Sequence, residues 1–104
     1  MHKGEVWWAE LPKPIGRRPV LILTRDEAIR VRDNVTVALV TTNIRRISTE
    51  VHLKKEDGLP KESVVNLDVI NTIHKESLTE FITTLSEEKL QAAETALRFA
   101  LDLS

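Results

Sequence analysis

Short apolar runs separated by polar residues cover most of the chain, and a segment with a different period follows them at the C-terminal end. The runs are rich in valine, isoleucine and other branched residues, which is typical of β-strands. We predict strands at residues 4–11, 20–24, 35–40, 51–53, 63–67, 69–73 and 81–85. Residues 20–24 are uninterrupted apolar positions directly after Pro19, and such a run predicts a strand in the centre of a sheet.

The segments between these strands carry turn signals. Two prolines and a glycine within residues 12–16 predict a stiff, exposed loop. Residues 26–33 have few apolar positions and predict either a short helical turn or a long loop, and residues 74–78 predict one helical turn. Many short strands joined in this way favour a small β-barrel.

The C-terminal segment has the period of a helix. Ser86 is a favourable N-cap residue, and two glutamates follow it where the helix dipole is positive. Apolar side chains then recur at helical spacing at Leu90, Ala93, Leu97 and Leu101. We predict an amphipathic helix here, and its apolar stripe leads us to expect a homodimer.

The composition bounds the fold and the chemistry. A chain of 104 residues has room for one core, so we predict a single domain over residues 1–104, mainly β with a terminal helix (α+β). The absence of cysteine excludes disulfides, thiolate metal sites and a thiol nucleophile. No His, Asp or Glu spacing predicts a metal site, and we expect no cofactor. Without a secretory or membrane-spanning segment, the expected location is the cytoplasm.

Charge is distributed unevenly although the net charge is -1. Residues 1–52 carry nine basic and six acidic side chains, and residues 53–104 carry six basic and ten acidic ones. Seven of the eight arginines lie in the first half, and the arginine fork suits phosphate recognition. The pattern is compatible with a basic binding face and also with arginines scattered over a solvated surface.

Four segments in chain order carry a family resemblance. Residues 3–11 read KGEVWWAEL, residues 16–23 read GRRPVLIL, residues 37–43 read VALVTTN, and residues 63–68 read SVVNLD. Together with Thr72-Ile73 and the C-terminal helix, they resemble the MazF/PemK family of toxin-antitoxin ribonucleases. The resemblance extends over nearly the whole chain.

The resemblance implies a fold, a function and a set of site residues. The implied fold is an SH3-like barrel with a C-terminal helix, as in CcdB/PemK-like toxins. The implied function is that of a homodimeric endoribonuclease that cleaves single-stranded RNA at short sequences without a metal and is neutralised by a cognate antitoxin. Family catalytic positions correspond to Arg18 and Thr41, and an acidic position that some relatives use corresponds to Asp68. We expect Arg17, Asn43 and Asp68 to contact the substrate.

The chain departs from the family in its first loop. Many members have Ser, Glu and Gln or His between the glycine and the arginine, whereas here Gly16 is followed directly by Arg17-Arg18. Any catalytic role that the family assigns to that loop has no counterpart in this chain.

The implied reaction uses the 2′-hydroxyl of RNA as its own nucleophile, so the protein must move protons and stabilise charge on the phosphoryl oxygens. Arg18 suits charge stabilisation, and Thr41 can donate a hydroxyl. The alternative for Arg18 is a surface ion pair with Glu10 or Asp26. Thr41 can equally be an ordinary strand residue, and in a regular strand only one of Thr41 and Thr42 faces the site.

Other residues leave alternatives open. Asp68 can cap a turn, orient an arginine or take part in proton transfer. His2, His52 and His74 have no evident catalytic partner. Trp7 and Trp8 lie on opposite faces of the first strand, so one belongs to the core and the other can stack on a base or pack in an interface.

Two competing functions remain on the same barrel. One is a non-enzymatic toxin similar to CcdB, which acts by binding DNA gyrase. The other is an RNA-binding barrel that does not cleave its ligand. The end of this chain has no aromatic anchor after Leu101, and Arg18 and Thr41 are present, so the enzyme is favoured.

Overall fold

The computed structural model describes residues 1–104 as six β-strands and two α-helices. The strands are β1 (Glu5–Glu10), β2 (Arg17–Ile22), β3 (Asn34–Thr41), β4 (Glu50–Leu53), β5 (Ser63–His74) and β6 (Leu78–Thr84). The helices are α1 (Asp26–Val31) and α2 (Glu87–Ala100), and short 3₁₀ turns occupy Lys55–Asp57 and Lys75–Ser77. The mainly β fold with a C-terminal helix is confirmed.

All six strands belong to one antiparallel sheet with the order β4-β5-β3-β2-β1-β6. Strand β2, the strand predicted to be central, is therefore one of the two strands at the middle of the sheet. The sheet is curled so that its two edge strands approach each other, and Gly58, in the turn after β4, lies against Thr83 of β6. Gly58 has a positive φ of 100°, and a Cβ atom there would collide with the Thr83 side chain, so both its conformation and its position require glycine. The result is a half-barrel.

Because successive side chains of a strand point to opposite faces, the sheet carries apolar side chains on both of its faces. On one face Val6 and Leu21 pack with α2 through Ala93 and Ala96. On the other face a smaller cluster includes Val20 and Ile22 and is covered in part by Ile29 of α1. Both faces of the sheet are thus packed, and the ends of the strands extend beyond the packed region.

Helix α2 begins as predicted, since the Ser86 side chain accepts a hydrogen bond from the backbone N–H of Lys89 at 3.2 Å. The apolar stripe, however, packs mainly on the chain's own sheet and is not free for a second molecule. The exposed apolar side chains of the helix lie at its C-terminal end, at Phe99 and Leu101, followed by Leu103. No helix of the chain has the length and hydropathy needed to cross a membrane.

Several strand boundaries differ from the prediction. Strand β6 begins at Leu78, three residues before the predicted start at residue 81. The segments 63–67 and 69–73 form one strand, β5, because a bulge at residues 67–69 accommodates the polar Asp68 between the pairs Leu39 with Asn66 and Ala38 with Ile70. Strand β2 begins at Arg17, three residues before the apolar run, because its polar start pairs with the end of β1.

Candidate functional site

A cleft opens where β2 and β3 separate. Their pairing runs from Ile22 and Val37 to Val20 and Leu39 and then stops. The next residue of β2 is Pro19, which has no N–H to donate to a neighbouring strand. Continued in the same register, the strands would place Arg18 directly opposite Thr41. The separation therefore leaves these two residues on either side of a gap, on the same face of the sheet.

The cleft has a volume of about 400 Å³. Its third wall comes from the segment before β5, where Leu59 is buried and Lys61 is exposed. The Ser63 hydroxyl donates to the Lys61 carbonyl at 2.8 Å and fixes the turn that presents the lysine. The lining residues are Trp8, Arg17, Arg18, Pro19, Val40, Thr41, Thr42, Leu59, Pro60, Lys61 and Ser63.

The cleft is electropositive and rich in hydrogen-bond donors. Neither Arg18 nor Lys61 has an ion-pair partner among the acidic side chains of the chain. No Asp, Glu or His lines the cleft. Two free cations beside threonine hydroxyls can bind a phosphodiester and stabilise additional negative charge on it.

The Thr41 hydroxyl is oriented by the chain itself. Its Oγ1 accepts a hydrogen bond from the backbone N–H of Asn43 at 3.2 Å. Because that contact occupies an acceptor site, the hydroxyl hydrogen remains available for a ligand oxygen. Thr42 also lines the cleft, since β3 ends at Thr41 and the strict alternation of side chains ends with it.

Arg17 and Arg18 have different surroundings. Arg17 takes the ion pair considered for its neighbour, with Nη1 at 3.2 Å from Glu10 Oε1 and Nη2 at 3.2 Å from Glu80 Oε1. Asp26 instead accepts a hydrogen bond from the backbone N–H of Lys3 at 2.8 Å and lies 3.5 Å from His2. Arg18 is thus left facing the cleft without either carboxylate.

The remaining candidates lie outside the cleft lining. Asn43 contributes its backbone N–H to Thr41, and Asp68 accepts a 2.6 Å hydrogen bond from the hydroxyl of Thr49. His52 does have an acidic partner, since its Nε2 lies 2.6 Å from Oε2 of Glu62, the residue before β5. No group of three or more His, Asp or Glu side chains comes together at metal-binding distance.

The arginines do not share one face. Arg25 and Arg32 line a second cleft with Lys3 at the opposite end of β2 and β3. Arg45 and Arg46 lie in the loop after β3. The charge asymmetry along the sequence therefore spreads over several surfaces, and only Arg17 and Arg18 reach the cleft beside Thr41.

A buried carboxylate holds the loop that follows Thr41. The Glu50 side chain is 2% exposed and accepts hydrogen bonds from the backbone N–H groups of Arg45 and Arg46 and from Arg45 Nε, at 2.9, 3.0 and 2.9 Å. Burial alone would raise the pKa of Glu50, but these hydrogen bonds outweigh it and hold the pKa below its ordinary value. Sequence patterns gave no sign of this role.

Replacing Glu50 by glutamine is expected to lower the free energy of unfolding at neutral pH by about 1–3 kcal/mol, because the amide is uncharged and its NH₂ group cannot accept the hydrogen bond from Arg45 Nε. Since the folded pKa is depressed, the contribution of Glu50 is complete above the ordinary value of 4.5 and is lost as the pH falls toward the folded pKa. Denaturant titrations of Glu50→Gln between neutral pH and pH 3 should show a flatter acid limb. The matched control is Glu56→Gln, an exposed carboxylate, and equal stability of the two variants would contradict the assignment.

The fold and the cleft together define a small half-barrel with an electropositive cleft at the ends of β2 and β3. Residues 2–101 match the family model described as the PemK-like, MazF-like toxin of type II toxin-antitoxin systems. The chain belongs to this family. The predicted CcdB/PemK-like fold is thereby confirmed.

Individual relatives agree with this assignment. The chain is 41% identical over 103 residues to a probable endoribonuclease MazF5 of Mycobacterium tuberculosis, covering 98% of this chain and 94% of the relative. The solved structure of the M. tuberculosis toxin MazF-mt6 superposes with a TM-score of 0.88 at 37% identity, covering 96% and 98% of the two chains. An endoribonuclease in complex with its cognate antitoxin from a mycobacterial species has a TM-score of 0.91 at 29% identity, with coverage of 100% and 97%.

Proposed function

We propose that this chain is a toxin that acts in the cytoplasm as a sequence-specific endoribonuclease and cleaves single-stranded RNA without a metal. The observation that carries the proposal is the pair of Arg18 and Thr41 on either side of the gap between β2 and β3, in a member of this toxin family. The names of related proteins, which include endoribonucleases, support the same activity.

In the proposed reaction, the 2′-oxygen attacks the adjacent phosphorus as its proton departs. The bond from phosphorus to the 5′-oxygen breaks, and a proton is delivered to that oxygen, so the products are a 2′,3′-cyclic phosphate and a 5′-hydroxyl. Arg18 binds the phosphoryl oxygens with its planar fork, and Thr41 donates its hydroxyl. Arginine stays protonated in almost every setting, so its dominant contribution is electrostatic stabilisation rather than proton transfer.

Incubation of the purified chain with a long defined RNA in excess EDTA tests this function. We expect cleavage at a small set of short sequences and fragments that end in 2′,3′-cyclic phosphate, because the nucleophile belongs to the RNA. Sequencing the 5′ ends of the fragments gives the recognition sequence in the same experiment. RNA that is bound but left intact would indicate a non-catalytic RNA-binding barrel, and RNA that is neither bound nor cut would favour a gyrase-binding toxin similar to CcdB.

The proposal includes an antitoxin as partner. The unpaired cations Arg18 and Lys61 give the cleft a charge complementary to an acidic, partly disordered segment that folds on binding. The same cleft would hold RNA, so antitoxin and RNA should compete. RNA affinity that is unchanged by a bound antitoxin fragment would oppose a shared cleft.

The proposed assembly is a homodimer. Phe99 is 65% exposed, and the neighbouring Leu101 and Leu103 are also exposed at the end of α2. Apolar side chains clustered at one end of a small protein favour burial against a second copy. Light scattering across the micromolar range should give the mass of two chains, and a monomer throughout would oppose the proposal.

A further inference from the structure

Arg17 lines the cleft and is held in place by three contacts. It lies opposite Glu10 in the pairing of β1 with β2, and its two terminal nitrogens contact Glu10 and Glu80. Its Cζ lies over the ring of Trp8, 4.6 Å from the ring centroid. Trp8 and Arg17 both line the cleft that holds Arg18 and Thr41.

The ion pairs of Arg17 change what the side chain can recognise. One guanidinium stands between two carboxylates, so the local net charge is negative and does not attract a phosphate. Two of the five guanidinium N–H donors are also engaged, one by Glu10 and one by Glu80. Arg18 and Lys61 have no such partners, and phosphate binding is therefore expected at those two residues.

One face of the Arg17 guanidinium remains available. The Cζ atom lies over the Trp8 ring, and the side chain as a whole is 43% exposed to solvent, so the face turned away from Trp8 is accessible. Bases of single-stranded RNA stack on aromatic rings and on arginine planes, and this contact does not require a particular base edge. A guanidinium fixed by two carboxylates loses little freedom when a base settles on it.

The short first loop places Arg17 in this position. The connection between β1 and β2 spans residues 11–16, and the backbone N–H of Leu11 donates to the Gly16 carbonyl at 3.0 Å. This contact closes the hairpin immediately before Arg17. The tight hairpin therefore brings Arg17 to the edge of the cleft.

We propose that Trp8 and Arg17 form a stacking site for one unpaired nucleobase of the RNA, beside the phosphate bound by Arg18. This site rests on the proposed function, and it assigns to Arg17 contact with a base. Glu10 and Glu80 are positioning residues that keep the guanidinium over the tryptophan ring. The competing explanation is an ion-pair cluster that only stabilises the end of the hairpin.

The test compares Arg17→Lys with the wild-type chain on short single-stranded RNAs that contain the recognition sequence. Each RNA carries one abasic nucleotide at a different position, and a parallel set has a 2′-deoxy nucleotide at the cut site so that affinity is measured without cleavage. Lysine keeps the charge but has no plane to stack on. The matched control is Arg25→Lys, an exposed arginine at the opposite end of the sheet.

On intact RNA we expect Arg17→Lys to weaken binding by about 5- to 100-fold, the range measured when a stacking side chain is removed. One abasic position should weaken wild-type binding by a similar factor and leave the variant unaffected. The salt dependence of affinity should not change, because no phosphate contact is lost. Thermal unfolding of the wild-type chain and of Arg17→Lys shows whether the substitution destabilises the hairpin of β1 and β2.

The stacking site would be overturned if Arg17→Lys bound intact RNA as tightly as the wild-type chain does. It would also be overturned if the two proteins lost the same affinity at every abasic position. A reduced salt slope in Arg17→Ala that lysine restores would identify a phosphate contact instead. If the wild-type chain shows the abasic pattern in binding but does not cleave RNA, the proposed function fails while the stacking site stands.

Discussion

Replacing Arg18 by alanine should lower the single-turnover rate of RNA cleavage by about 10²- to 10³-fold, the cost of removing a donor that stabilises transition-state charge. Arg18 has no carboxylate partner and faces the cleft, so its loss leaves the cleft without its guanidinium fork while the fold stays intact. Measurement at saturating enzyme isolates the chemical step from binding.

Lysine at the same position separates charge from geometry. Arg18→Lys keeps the positive charge but loses the fork, so a transition-state role predicts a loss on the chemical step as well. If Arg18 only attracts RNA, lysine should restore most of the activity and the alanine defect should depend on salt. Arg98→Ala, an exposed arginine of α2, is the control, and rates for Arg18→Ala within about threefold of wild type would remove Arg18 from the site.

Removing the Thr41 hydroxyl is the second large change. Thr41→Val keeps the shape of the side chain, and we expect the single-turnover rate to fall on the order of 10- to 100-fold, since a neutral hydroxyl forms a weaker bond than a guanidinium. The hydrogen bond from the Asn43 backbone occupies an acceptor site of the hydroxyl and leaves its hydrogen available for a ligand oxygen. Thr41→Ser, which retains the hydroxyl, should recover most of the rate.

The control for this series is Thr84→Val, an exposed threonine on β6 that does not line the cleft. Equal rates for Thr41→Val and Thr84→Val would show that Thr41 serves only as a strand residue. A fall in rate for Thr41→Val that Thr41→Ser does not recover would point to altered packing at the end of β3 instead.

Period and composition predicted most of the fold because each strand has a buried face, and α2 has both a cap and an apolar stripe. Errors occurred where tertiary contacts override local pattern. Asp68 interrupts the apolar alternation, so one strand was predicted as two, and only pairing with β3 across a bulge reveals β5 as continuous. The start of β2 is polar, and its pairing with β1 makes it a strand.

The site was predicted in part. Arg18 and Thr41 came from the family resemblance, and their cross-strand placement follows from the register of β2 and β3. Lys61 was missed because it reaches the cleft only when the segment before β5 folds against it, which no local pattern encodes. Glu50 and the stack of Arg17 on Trp8 were missed for the same reason, since their partners are set by loop conformation.

The closure of the half-barrel at Gly58 bears on how the protein avoids self-association through its strands. An open strand edge is a template for another chain, and β4 and β6 are the two edges of this sheet. The turn at Gly58 covers β6 at Thr83. On β4, two outward backbone groups are satisfied within the chain: Glu50 N–H donates to the Ile47 carbonyl at 3.0 Å, and the His52 carbonyl accepts from Lys89 Nζ at 2.8 Å. Edge-to-edge aggregation is thereby disfavoured, even at high local concentration.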